Sequence, residues 1–139
     1  MKTILVGLDD SPRAPHVLEA AIAVAQNIGA TLHLYRAVSL PRELPTLALA
    51  KSPGEIAELL QRLANESLVA LVQRVPAACR GETHVTLAVP WQGICQAAHD
   101  LGAELVVIGS HGYGGLDRLL GTTASKVVNH CEKSVLVVR

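Results

Sequence analysis

The sequence predicts an α/β fold: a three-layer sandwich in which a five-stranded parallel sheet lies between two layers of helices. Apolar, β-branched runs of strand length alternate along the chain with longer segments whose apolar residues recur at helical spacing. Three of those runs are apolar throughout, as strands covered on both faces must be. Parallel neighbours require crossover connections, so the order β-α-β-α-β-α-β-α-β returns each strand to one sheet.

The first strand is expected over Thr3 to Leu8. Asp10 or Ser11 can cap the helix that follows, with Pro12 near its first turn and Val17, Leu18, Ala21, Val24, Ala25 and Ile28 on its apolar side. Gly29 suits the stop. Thr31 to Val38 alternates as a second strand, with His33 and Arg36 interleaved. Ser39 to Pro53, containing Pro41 and Pro45, is the one long irregular connection, and segments of that length usually carry function or move. Pro53-Gly54 opens a long helix bearing Ile56, Leu59, Leu60, Leu63, Leu68, Leu71 and Val72. A third strand is expected over Thr83 to Val89, a helix over Trp91 to Leu101 stopped by Gly102, and a fourth strand over Leu105 to Ile108. Thr122 to Cys131 reads as the final helix and Ser134 to Val138 as the final strand.

At 139 residues and 50% hydrophobic, the chain can bury a core without staples, and it shows no repeat, low-complexity tract or second domain. Twelve basic residues balance 12 acidic ones, so no broad positive field exists to hold nucleic acid or an anionic membrane. Aromatics are confined to Tyr35, Trp91 and Tyr113, which leaves no base-stacking platform. Cys79, Cys95 and Cys131 are odd in number and widely spaced, which fits reduced thiols. The N-terminus has no export pattern, and no apolar run approaches the roughly 20 residues that cross a bilayer. A cytoplasmic protein is expected.

Ligands of open α/β sheets bind beyond the carboxyl ends of the strands, where adjacent connections leave toward opposite faces. Two strand ends carry unusual residues. The first is Gly7-Leu8-Asp9-Asp10-Ser11; the second is Gly109-Ser110-His111-Gly112-Tyr113-Gly114-Gly115, which runs on to Gly121-Thr122-Thr123 at a helix start. Backbone free of Cβ atoms can turn N–H groups inward, and a helix N-terminus adds unpaired N–H groups and a positive dipole end, a combination suited to phosphate. The alternative is that the glycines serve tight turns and Thr122 a cap. The loop is not a Walker A sequence, having no Gly-Lys-Ser/Thr, and it follows the fourth strand rather than the first, unlike the dinucleotide fingerprint. Arg118 is the nearby cation, so backbone N–H groups, with Mg²⁺ as the candidate counter-charge, would carry the phosphates.

No nucleophile is evident. His111 lacks a carboxylate neighbour in sequence to orient it, which favours a place in the loop over general-base work. Cys79 with His84, or Cys95 with His99, offers two ligands where zinc needs more, so no metal site is expected. Trp91, after Pro90, reads as an anchor for its helix.

Met1 to Ser11, the Gly109 to Thr123 loop and the terminal Ser134-Val-Leu-Val-Val-Arg139 resemble the universal stress protein family, and the alternation of elements matches over essentially the whole chain. Nucleotide-binding members have Gly, two residues, Gly, nine residues, then Gly and Ser or Thr. Gly109, Gly112 and Gly121-Thr122 fit, but residues 113 to 120 make a spacer of eight. The resemblance implies a Rossmann-like sheet of order 3-2-1-4-5, related to the adenine nucleotide alpha hydrolases, and binding of ATP, or AMP or ADP. It implies that Gly7, Leu8 and Asp9 border adenine and ribose and that Ala37 faces the adenine through its main chain. Gly109, Ser110, His111, Gly112, Tyr113, Gly114 and Gly115 would wrap the phosphates, with Gly121, Thr122 and Thr123 closing the far side.

The resemblance also implies a homodimer joined through Val135 to Val138, whose edge would otherwise be unpaired. The expected role is a regulatory stress-response module in which nucleotide alters the affinity of a protein partner, with slow hydrolysis at most. The competing readings are an ATPase or related nucleotide hydrolase assisted by Asp9 and His111, and an interaction protein with an empty pocket.

Overall fold

The computed structural model describes residues 2–40, 52–111 and 120–139. Strand β1 (Thr3–Gly7) leads into helix α1 (Ala14–Ile28), β2 (Thr31–Val38), α2 (Pro53–Val72), β3 (Arg80–Leu87), α3 (Pro90–Asp100), β4 (Leu105–Gly109), α4 (Thr122–His130) and β5 (Ser134–Val138). A 3₁₀ turn at Ala77–Cys79 precedes β3. Every strand pair is parallel and the sheet order is β3-β2-β1-β4-β5, as expected.

The two faces follow from strand alternation. Ile4, Val6, Leu32, Leu34 and Val107 pack with Val17, Leu18, Ala21 and Ala25 of α1 and Leu68 and Val72 of α2. Leu5, Tyr35, Val106 and Ile108 point the other way, onto Ile94 and Ala98 of α3 and Ala124 and Val127 of α4. The central strands therefore have to be apolar on both sides. Gly29 and Gly102 adopt φ of +66° and +63°, the left-handed conformation that ends a helix without Cβ strain. Ser52 caps α2, its Oγ accepting from Glu55 N–H at 3.3 Å. Among the described residues no helix is long and apolar enough to cross a membrane.

Two elements differ from expectation by more than one residue at a boundary. Helix α1 begins at Ala14, with Arg13 in the N-cap position, because the Ser11 carbonyl accepts from Ala14 N–H at 3.1 Å and holds the chain in a turn. Strand β3 begins at Arg80 instead of Thr83 and ends at Leu87 instead of Val89. Arg80 folds back onto the Val75 carbonyl, with Nε at 3.0 Å and Nη2 at 2.8 Å, which fixes the start of the strand. Between the pairs Leu32↔Arg80 and Leu34↔Thr83, β3 spends one more residue than β2, which is a bulge. The bulge sets Glu82 N–H 3.2 Å from His33 Nδ1. Burial, with the His84 ring adjacent, lowers the His33 pKa against an opposing pull from Glu82.

Tyr35 is fully buried and its hydroxyl bonds Thr86 Oγ1 across the β2–β3 pair. Burial raises its pKa, with the Thr86 bond opposing. Trp91 sits 4.8 Å from the His130 ring, tying α3 to α4, and is absent from the wall of the cavity described next.

Candidate functional site

Strands β1 and β4 are neighbours, and the chain leaves them toward opposite faces, β1 to α1 and β4 to α4. That divergence opens a crevice at their carboxyl ends. A cavity of about 520 Å³ occupies it, within the size range of small-molecule sites.

Its floor is formed by Gly7 at the end of β1, Leu8 and Asp9 beyond it, and Ala37, two positions beyond Tyr35 on β2. Gly109, Ser110 and His111 form the β4 side; Gly121, Thr122 and Thr123 bring the start of α4 against it. Expected residues distant in sequence thus meet around one space. Gly112, Tyr113, Gly114 and Gly115, and the cation Arg118, lie outside the described residues.

At Gly7, Gly109 and Gly121 close packing takes the place of a side chain. A Cβ at Gly7 would press Ile94 Cδ1 at 3.1 Å and Ile108 Cγ2 at 3.3 Å; one at Gly109 would meet Val17 Cγ2 at 3.1 Å. A Cβ at Gly121 would meet the Ser110 carbonyl at 3.2 Å. None of the three has positive φ. They are small so that helices can close on the strand ends, which brings the cavity walls together. Two amides expected to face phosphate are used internally: Ser110 N–H donates to Val138 O and Gly121 N–H to Ser110 O, both at 2.8 Å.

Donors remain at the start of α4. Its first-turn N–H groups have no intrahelical acceptor by geometry, and the Gly121 N-cap supplies no side-chain oxygen to them. With the positive end of the helix dipole, they form an anion-attracting corner.

Two arginines complete the site and were missed by sequence reasoning. Arg13, at the start of α1, lines the cavity and brings a cation to it. Its place three residues beyond Asp10 gave a faint signal, hidden by the expectation that α1 began earlier. Arg36 is buried on β2; its Nη2 donates to Asp9 O at 2.7 Å and its Nε to Leu8 O at 3.3 Å. It braces the β1 exit from behind. Nothing in an alternating strand pattern announces a buried guanidinium.

Asp9 Oδ1 accepts from Ser11 N–H at 2.9 Å, which orients the carboxylate and leaves Oδ2 for a ligand hydroxyl. His111 is buried, with Nδ1 3.0 Å from Ser110 Oγ, and its enclosed Nε2 has no partner among the described residues. The Asp9 carboxylate engages Ser11, and the His111 ring engages Ser110.

An open parallel sheet with a crevice at its switch point, an uncapped helix start on one side and a carboxylate on the other defines a Rossmann-like α/β protein with a ligand-sized site at its strand ends. The comparisons narrow this. The sequence model of the universal stress protein family matches residues 1–139, and the chain belongs to that family. Universal stress protein Sll1388 of Synechocystis is 34% identical over 152 residues, covering 98% of this chain and 96% of that protein. The solved universal stress protein UspA of Lactobacillus plantarum superposes with a TM-score of 0.79 at 26% identity, covering 99% of this chain and 97% of that one. A universal stress protein of Archaeoglobus fulgidus, solved in complex with dAMP, superposes with a TM-score of 0.66 at 24% identity, covering 100% and 98%.

Proposed function

We propose that this protein binds an adenine nucleotide, ATP or its AMP or ADP counterpart, in the cavity between β1, β4 and α4, and acts as a cytoplasmic regulatory module in a stress response. One observation carries the reading: the uncapped start of α4 and Arg13 face the same cavity as Asp9 and the Ala37 backbone. The residues fit the group. Asp9, held by Ser11, is suited to a ribose hydroxyl, and Ala37, near the apolar Ile94 and Ile108, to the flat face of adenine. Thr122 and Thr123 N–H groups and the Arg13 guanidinium would hold phosphate oxygens, with Ser110, His111 and the Gly112–Gly115 segment completing the wrap. The dAMP complex of the Archaeoglobus protein supports adenine as the base.

Asp9 bonded to Ser11 and His111 bonded to Ser110 favour binding over turnover. The nucleotide would link the ends of three strands to α4, so its presence biases the surface around the cavity and thereby a partner's affinity. Pairing of two β5 edges, where Leu136 is exposed, would give a homodimer.

Acid extraction of purified protein followed by nucleotide identification, then calorimetric titration with ATP, ADP, AMP and GTP, tests the reading. Saturable one-to-one binding of adenine nucleotides in preference to GTP is expected. An absence of binding at millimolar nucleotide overturns it. Phosphate release at about 1 per second or faster would replace the module with an enzyme, and sedimentation equilibrium measures the dimer.

A further inference from the structure

On the face of the sheet that carries α3, away from the nucleotide crevice, three potential ligands converge from β2 and β3. His33 Nδ1 lies 3.4 Å from His84 Nε2, His84 Nε2 lies 3.9 Å from Glu82 Oε2, and all three atoms are within 4.8 Å of one another. We propose that His33, Glu82 and His84 form a binding site for a divalent transition metal ion of the Zn²⁺ type.

The geometry supports this in three ways. A tetrahedral ion with bonds of about 2.0–2.1 Å separates its ligand atoms by about 3.3–3.4 Å. The His33–His84 spacing already equals that edge. The Glu82 carboxylate stands 3.9 Å from His84 Nε2 and within 4.8 Å of His33 Nδ1, so it must move inward, which its 80% exposed side chain allows.

Second, the electron pairs are disposed correctly. The Glu82 amide donates to His33 Nδ1, so that nitrogen carries a lone pair and no proton. His84 Nε2 therefore lies between two acceptors, His33 Nδ1 and the Glu82 carboxylate. A cation on that spot takes the lone pairs of His33 Nδ1, His84 Nε2 and the Glu82 carboxylate, the His84 proton moving to its Nδ1, and the 3.2 Å Glu82 amide contact is given up to solvent. Two imidazoles and a carboxylate suit Zn²⁺ and its neighbours, and three protein ligands leave a position for water.

Third, the chain is shaped for this contact. The β3 bulge puts Glu82 beside His33, and a Cβ at Gly81 would meet the Leu32 carbonyl at 2.7 Å and His33 Cδ2 at 3.0 Å. Only glycine there allows the His33 ring to lie against β3. His84 also borders a second cavity of about 510 Å³ with Thr86, Gln96 and Asp100, which gives an ion a path to the site. The bound ion would cross-link β2 to β3, one of the two edge strands of the sheet.

The test uses the full chain, stripped of metal with a chelator and dialysed, then titrated with Co²⁺ and Zn²⁺. The expected result is one Co²⁺ per chain with the visible bands of four-coordinate cobalt, displaced by Zn²⁺. Zn²⁺ at a hundredfold excess over its Kd should raise Tm by about 5–10 °C. His84→Ala and Glu82→Gln should each weaken binding at least about tenfold, and His99→Ala should leave it unchanged. Because Glu82 is exposed, its variant keeps the fold, and circular dichroism verifies His84→Ala. No stoichiometric binding, or binding that survives both substitutions undiminished, overturns the proposal. Adenine-nucleotide affinity is read separately on the same samples, so failure of either site is distinguishable from failure of the other.

Discussion

Thr122→Pro tests the helix start as an anion site by deleting a single donor. Thr122 is the first residue of α4, where proline is favoured because its missing N–H has no intrahelical acceptor and its fixed φ suits the helix. Gly121 already holds φ −63° and ψ 169°, the extended conformation that a residue before proline requires. The fold should therefore be retained while one amide is lost from the cavity wall. Thr122→Ala is the reference, since it removes the hydroxyl alone. A hydrogen bond to a charged group contributes about 1.5–3 kcal/mol, which at 1.4 kcal/mol per decade becomes roughly a 10- to 150-fold rise in the Kd of ATP. Isothermal titration calorimetry of the two variants measures the ratio, and urea unfolding verifies equal stability. Affinities within about twofold of each other, at unchanged stability, would refute the placement of phosphate at this helix start.

Three other expectations follow from side chains on the page. Arg13→Gln should weaken ATP binding by about three- to tenfold, in line with a partly exposed charge, and flatten its salt dependence while leaving adenosine unaffected; equal losses for both ligands would place Arg13 off the phosphates. Gly93→Ala should lower unfolding free energy by about 1–3 kcal/mol, because a Cβ there overlaps the Tyr35 hydroxyl and presses Ala88; an unmoved urea midpoint would contradict the packing. Burial, together with a hydrogen bond to Cys131 and that group's charge, pushes the Cys95 thiol up to about 12. The thiolate is the reactive form, so Cys95 should alkylate far more slowly at pH 8 than an ordinary thiol and accelerate as pH rises toward 12. Labelling followed by mass spectrometry of the Cys95 peptide measures this, and fast modification at pH 8 would disprove it.

Each part of the fold that was legible in the sequence rested on short-range physics. Buried parallel strands must be apolar in succession, as Ile4-Leu5-Val6 and Val106-Val107-Ile108 are, and glycines 29 and 102 stop helices because only glycine takes positive φ without strain. The bulge hid the start of β3, since Gly81-Glu82 has the composition of a turn and gains its strand character from pairing with β2. The site was half legible. Asp9, Ser110 and Thr122 stand out through the rule that ligands gather at strand ends and Ala37 through the family resemblance alone, whereas the packing of Ile94 against Gly7 and of Val17 against Gly109 is written in no local pattern.

The sequence by itself determined the succession of strands and helices, the sheet's apolar character and the two strand ends that meet at the crevice, because periodicity and capping act within a few residues. Tertiary structure alone decided that Arg36 would brace the Leu8 and Asp9 carbonyls, that Arg13 would reach the cavity, and that His33 would stand against Glu82 and His84. Those contacts join residues up to 51 positions apart. They exist only once parallel pairing has fixed the register between strands, and no pattern along one segment carries that register.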